Sequence, residues 1–198
     1  IAIDGKTLRR SYDTATGKAA IHMVSAWATA NHISLGQTVV DEKSNEITAI
    51  PKLLEMIDVS GGLVTIDAMG CQTEIAAKIV GEGADYCLAV KGNQPTLHEG
   101  IKAFFLDHLE DDFARIDVGE YHTKETDHGR VDERRYYLCV TPDDLSDAGR
   151  WKDLCALGMS INNTQRRKGD ENFIKLWRTD RSLLKQEKTA KCGIKTKR

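Results

Sequence analysis

Two aspartates have the placement that chemistry would need. Asp4 closes the apolar run Ile1-Ala2-Ile3 and stands before Gly5, and Asp67 closes Leu63-Val64-Thr65-Ile66 and stands before Ala68-Met69-Gly70. A carboxylate at the exit of a buried strand, ahead of a glycine-bearing turn, is where an α/β sheet places metal-binding acids: the strand is rigid and the turn is open to ligand. Carboxylates suit hard Mg²⁺ or Mn²⁺, which prefer oxygen ligands. Two such ions about 3.5–4 Å apart activate the attacking oxygen and stabilise the leaving oxygen of an in-line phosphoryl transfer. Taken singly, an Asp before Gly is most often a turn former. The joint placement of two carries the metal reading.

The rest of the composition is that of an ordinary globular protein. The chain has 198 residues, 40% hydrophobic and 29% charged, with a formal net charge of -2. That is enough for one full core. The charge balance does not by itself announce a nucleic-acid binder, so the distribution of basic residues matters more than their sum. Cys71, Cys87, Cys139, Cys155 and Cys192 are widely spaced, odd in number and without a C-x-x-C pair, which argues against a disulfide framework or zinc knuckle and for reduced thiols in the cytoplasm. No run reaches the ~18 apolar residues of a membrane span. The first residue lies inside an expected strand and is not methionine, so upstream sequence is expected.

The elements that must position the two acids follow from periodicity. Ile1–Asp4, Ala20–Thr29 and Ile33–Val40 read as three strands of an antiparallel meander, with Asn31-His32 at the second turn. Thr48 is expected to cap a helix with Pro51 in its first turn and Ile50, Leu53, Leu54 and Ile57 on one face. Leu63–Ile66 and Tyr86–Val90 read as buried parallel strands. Between them lies a helix capped by Thr73, and after them, past the turn Lys91-Gly92-Asn93, one opened by a capping box Thr96-x-x-Glu99. Beyond Leu109, Ala114–His122 with Arg130–Val140 and Ala156–Asn162 with Phe173–Arg178 read as antiparallel pairs. The expected division is an α/β core over 1–110, a β-rich insertion region over 111–184 and a basic tail over 185–198. Trp27, Trp151 and Trp177 are too dispersed for a stacking platform, and His98 and His108 are expected on a helix surface.

Three antiparallel strands followed by helix, strand, helix and strand, with acids on the first and fourth strands, resemble the ribonuclease-H-like mixed α/β sheet. In that plan the two strands are neighbours about 4.8 Å apart. Beyond the plan, Ile3-Asp-Gly-Lys6, His22-Met-Val-Ser25, Leu35-Gly-Gln37, Glu42-Lys-Ser-Asn-Glu-Ile47, Ile50-Pro-Lys-Leu-Leu54, Thr65-Ile-Asp-Ala-Met-Gly70, Lys91-Gly-Asn-Gln94, His128-Gly-Arg130 and Arg134 resemble the H-repeat-associated insertion-sequence transposases of bacteria, enzymes of the DDE type. The likeness runs from Ile1 to about Leu184. It implies that Asp4 and Asp67 are the first two acids of a catalytic triad. It also implies metal-dependent DNA cleavage and strand transfer at element ends with Mg²⁺ or Mn²⁺, DNA as partner and a homodimer as the assembly.

The family's third acid is a glutamate in a string reading roughly His-Trp-x-x-Glu-Asn after the β insertion, and that string is absent here. The stretch from Lys185 to Arg198 reads as truncated or frame-shifted sequence, which makes weak or absent catalysis the expectation for this chain. Glu133, Asp132 and Glu42 are the internal candidates for a third or accessory acid, with Glu125 and Glu46 beside them. Glu133 with Arg134 has the bland alternative of a cross-strand charge pair. Lys6, Arg9, Arg10, Lys91, Asn93 and Arg130 are the candidate DNA contacts, with Arg166, Arg167 and Lys168 as a second basic cluster. Such residues beside a phosphodiester site anchor the backbone without reading sequence. A non-catalytic DNA-binding remnant and another metal-dependent nuclease of the same fold are the alternative readings.

Overall fold

The computed structural model describes residues 1–12, 17, 19–40, 45–127, 130–164 and 171–177, with backbone alone at 127, 130, 164 and 171–177. Arg166, Arg167, Lys168, Glu42 and the basic tail lie outside the described residues. The strands are β1 (Ala2–Thr7), β2 (His22–Ala28), β3 (Ile33–Val39), β4 (Leu63–Ile66), β5 (Asp85–Val90), β6 (Val118–Asp127), β7 (Arg130–Val140), β8 (Ala156–Thr164) and β9 (Glu171–Trp177), and the helices are α1 (Glu46–Met56), α2 (Thr73–Gly81) and α3 (Pro95–Leu109). They form a mixed α/β fold around a nine-stranded sheet in the order β3-β2-β1-β4-β5-β9-β8-β7-β6.

The meander expected at the start is present. β1 pairs antiparallel with β2, and β2 with β3. His32 holds the turn between β2 and β3 in the left-handed region at φ 56°. The chain then crosses over through α1, so that β4 pairs parallel with β1 instead of with β3. A parallel neighbour needs such a crossover, and a helix supplies it. A second crossover through α2 sets β5 parallel to β4.

β1 runs further than expected. The strand continues through Asp4 and Gly5 to Thr7, with Asp4 opposite Ser25 and Gly5 opposite Val24. The reading of Asp4-Gly5 as a strand exit into a turn is therefore corrected. A partner strand supplies ladder bonds that override the weak strand preference of glycine.

The helix starts also move. Asn45, not Thr48, caps α1, and its side chain accepts from the Thr48 amide. Pro51 consequently lies inside the helix, where it removes one internal hydrogen bond. Thr73 is the first residue of α2, and Gln72 precedes it without a side-chain cap. α3 begins at Pro95, whose fixed φ suits the first helical position, and no side-chain cap replaces the expected box. β6 starts at Val118, later than Ala114, because Asp112 and Phe113 turn the chain with positive φ.

One contiguous apolar cluster runs from Ile3, Val24 and Ala26 through Val64, Ile66 and Leu88 to Tyr137, Leu157 and Met159. α1 lies against β2 and β3 and touches α2, which covers β5. The β-rich region continues the same sheet through β9, paired antiparallel to β5. α3 lies against β9, and Phe105 meets Phe113, which stacks on Tyr137 at 4.7 Å between ring centres. His108 is buried in this aromatic group with its ring 4.6 Å from that of Phe104, contrary to the surface position expected for it. Helical spacing continues the Leu97, Ile101, Phe105 stripe to position 108, so the apolar environment follows from period.

Leu53 and Leu54 are fully buried beneath the sheet. Leu53→Ala is expected to cost about 2–5 kcal/mol of stability, visible as a lower urea midpoint with unchanged slope. A change below about 1 kcal/mol, under the range for such truncations, contradicts this packing.

Candidate active site

The ladder between β1 and β4 matches Ala2 with Thr65 and Ile3 with Ile66. Asp4 is the next residue of β1, and Asp67 is the residue just past the end of β4. Ile3 and Ile66 are buried while Asp4 and Asp67 are exposed, so both carboxylates leave the sheet on the face opposite the core contacts of their neighbours. Strand spacing alone puts their backbones about 5 Å apart. Lys6, two residues beyond Asp4, shares that face, as do Ser25 and its cross-strand partner Gln37.

Asp67 is held by its own turn. Its Oδ1 accepts the Met69 amide at 3.0 Å, which caps the single 3-10 turn Ala68–Gly70. Gly70 is required beneath it: a Cβ there would overlap the Ile66 side chain and press on Ile50. Burial pushes the Cys71 thiol up to about 12, so it stays protonated at neutral pH and offers no thiolate.

The turn after β5 clamps this segment from the other side. Asn93 Nδ2 donates to the Ala68 carbonyl at 2.6 Å, and Gln94 Nε2 donates to the Cys71 carbonyl at 2.9 Å. The Asn93 amide, read from sequence as a DNA contact, thus has an intramolecular task next to Asp67. Gln94 was overlooked, although it closes the Lys91-Gly-Asn-Gln94 string that carried the resemblance. Lys91 is exposed at the start of the same turn, and Arg9 and Arg10 are exposed just past β1.

The internal acids fall elsewhere. Glu133 and Asp132 are on β7, four strands from β4 along the sheet and therefore on the order of 19 Å away by strand spacing. Glu133 sits 2.9 Å from His122 Nε2 and 3.4 Å from Arg135. Burial raises its carboxyl, but the hydrogen bonds from His122 and Arg135 outweigh that and the net displacement is below the usual carboxylate value. The cross-strand charge pair expected between Glu133 and Arg134 is replaced by two others, since Arg134 binds Glu125 at 2.9 Å. Adjacent strand residues face opposite ways and cannot pair across the ladder. Arg130 opens β7, and its side chain lies outside the described residues.

Among the described residues, no group of three or more His, Cys, Asp and Glu side chains is gathered closely enough to hold a metal. Two exposed carboxylates side by side are an oxygen-only donor set that fits Mg²⁺ or Mn²⁺ as a partial coordination sphere completed by water or phosphate.

The family model for the transposase DDE domain matches residues 1–157. The chain belongs to the transposase DDE domain family. Its relatives include the Escherichia coli K12 protein named "H repeat-associated putative transposase YhhI", 45% identical over 167 residues, which are 82% of this chain and 42% of that one. The "Putative transposase YncI" of Escherichia coli O157:H7 is 45% identical over 84% of this chain and 42% of its own length. An uncharacterised protein from the dhlA 3' region of Xanthobacter autotrophicus is 40% identical over 80% of this chain and 52% of its own. A remote likeness extends to the piggyBac transposase synaptic complex with hairpin DNA, with TM-score 0.43 and 11% identity over 90% of this chain and 33% of that one. The transposase DDE chain thus spans less than half the length of YhhI. Among the described residues no helix is long and apolar enough to cross a membrane.

Gln94→Ala leaves the Cys71 carbonyl without its donor and is expected to cost about 1 kcal/mol in urea unfolding. The same variant is expected to speed modification of Cys71 by a thiol reagent in the folded protein, read by peptide mass analysis. An unchanged rate contradicts the clamp.

Proposed function

We propose that this chain carries the catalytic core of a DDE transposase, in which Asp4 and Asp67 hold Mg²⁺ or Mn²⁺ for DNA strand cleavage and strand transfer at insertion-sequence ends. The observation that carries the reading is the shared register of the two acids on adjacent parallel strands, in a chain of this family. The strand order β3-β2-β1-β4-β5, antiparallel over the first three and parallel from β1 to β5, supports the ribonuclease-H-like plan. The bound cation supplies the charge that activates an attacking water or 3′-hydroxyl and stabilises the departing 3′-oxygen.

The chain's own residues supply placement. Asp4, in mid-strand, and Asp67, capped on its turn, present oxygens from rigid backbone, which limits the reorganisation needed on binding. Lys6 on the same face, with Arg9, Arg10 and Lys91 at the ends of β1 and β5, engages phosphates without reading bases. DNA at element ends and at the target is the proposed partner, and a homodimer the proposed assembly.

Weak turnover by this chain alone is part of the proposal, with Asp4 and Asp67 as two members of a larger set of acids. The second reading is a non-catalytic DNA-binding form. Loss of one ligand weakens cation binding without removing the phosphate contacts.

Asp4→Asn and Asp67→Asn are expected to weaken Mn²⁺ binding more than tenfold in calorimetric titration and to abolish the weak nicking of supercoiled plasmid in Mn²⁺. Mn²⁺ affinity or nicking that survives both substitutions overturns the metal reading. Lys6→Ala and Arg9→Ala are each expected to weaken binding to any duplex similarly and to lower the salt slope by about one per residue. A sequence-selective loss in fluorescence anisotropy contradicts the phosphate role.

A further inference from the structure

Behind the strand that carries Asp4 lies a second set of polar side chains, contributed by β1, β2 and α1. Gly5 faces away from Asp4, toward α1. There the Glu46 carboxylate lies so close that a Cβ on Gly5 would overlap it. Glu46 is the first residue of α1, where the helix terminus favours a negative charge, and its side chain is 17% exposed. Its Oε1 lies 2.6 Å from His22 Nε2, and His22 Nδ1 lies 2.8 Å from Thr7 Oγ1. With the proton on Nε2 donated to the carboxylate, Nδ1 accepts from the Thr7 hydroxyl and the ring is fully satisfied. Thr7 and His22 are cross-strand partners, so the chain of contacts starts on β1, passes through β2 and α1, and returns to β1 at Gly5.

We propose that the Glu46–His22–Thr7 chain, seated on the bare backbone of Gly5, positions Asp4 in register with Asp67 for divalent-cation binding. This rests on the metal reading given above. The parallel ladder with β4 ends at Ile3 and Ile66, one residue short of the acids, so β1 has no β4 partner at the point where its pitch decides where the Asp4 oxygens lie. The Glu46 contact holds the backbone there from the opposite face. Any side chain at position 5 would drive the carboxylate off His22, which gives the Asp4-Gly5 pair a packing reason in place of a turn. Glu46 and His22 act through the backbone of β1 and are positioning residues, not cation ligands: Gly5 and Asp4 leave the strand on opposite faces.

The test measures Mn²⁺ affinity of the whole chain by calorimetric titration, with thermal unfolding recorded in parallel. Gly5→Ala and Glu46→Ala are each expected to weaken Mn²⁺ about tenfold, and the double variant no more than either alone, because both break one shared contact. Glu46→Gln, whose side-chain carbonyl still accepts from His22, is expected to stay within threefold of the parent chain, and it keeps the test decisive if Gly5→Ala does not fold. Additive losses, wild-type affinity in Glu46→Ala, or a Glu46→Gln loss as large as that of Glu46→Ala each overturn the positioning role. If Asp4→Asn binds Mn²⁺ as the parent chain does, it is the metal reading that fails. If Asp4→Asn loses binding while Glu46→Ala does not, the positioning role alone fails.

Discussion

The parallel pairing of β1 with β4 is the constraint on which the rest depends. It is short, matching only Ala2 with Thr65 and Ile3 with Ile66. Yet it decides which residues face the core and which face solvent on both strands, because a slip of one position would bury the aspartates and expose the isoleucines. Burial of Ile3 and Ile66 opposes such a slip. The apolar core therefore sets the register, and the register brings together two acids that are far apart along the chain.

Around that pairing, the structure spends its polar side chains on backbone. Asn93 and Gln94 reach across from the exit of β5 to the carbonyls of Ala68 and Cys71, fixing the turn that follows Asp67. Behind Asp4, Glu46 and His22 pair with each other, with the Glu46 carboxylate against the bare backbone of Gly5. Half-buried polar groups need partners: Gln94 finds its partner in a carbonyl of the turn after Asp67, and Glu46 and His22 find theirs in each other. The basic residues are left to the exposed ends of β1 and β5, where they meet solvent or a polyanion without cost in desolvation.

Much of the architecture was legible in sequence. The short apolar runs at Leu63–Ile66 and Tyr86–Val90, the meander before them and the apolar faces of α1 to α3 all report burial, and burial is written in side-chain type. Helix starts were less so: Gln72 and Gln94 precede α2 and α3 although Thr73 and Thr96 had the stronger capping character, whereas Asn45, a better cap than Thr48, opens α1. Capping preference amounts to about 1 kcal/mol, which the packing of a whole helix outweighs. His108 was misread as exposed although its spacing from Phe105 put it on the apolar stripe.

By itself the sequence determined that Asp4 and Asp67 each adjoin a short buried apolar run, and its strings carried the family likeness, since both depend on residue type and local order. Tertiary structure alone decided that Glu133 and Asp132 stand four strands from β4, that Gly5 serves close approach and not a turn, and that Asn93 binds Ala68. Those outcomes depend on which strands become neighbours and which atoms then meet across them. Strand adjacency arises from long-range closure of the core, and no local pattern of residues encodes the distance between two strands that the chain visits many residues apart.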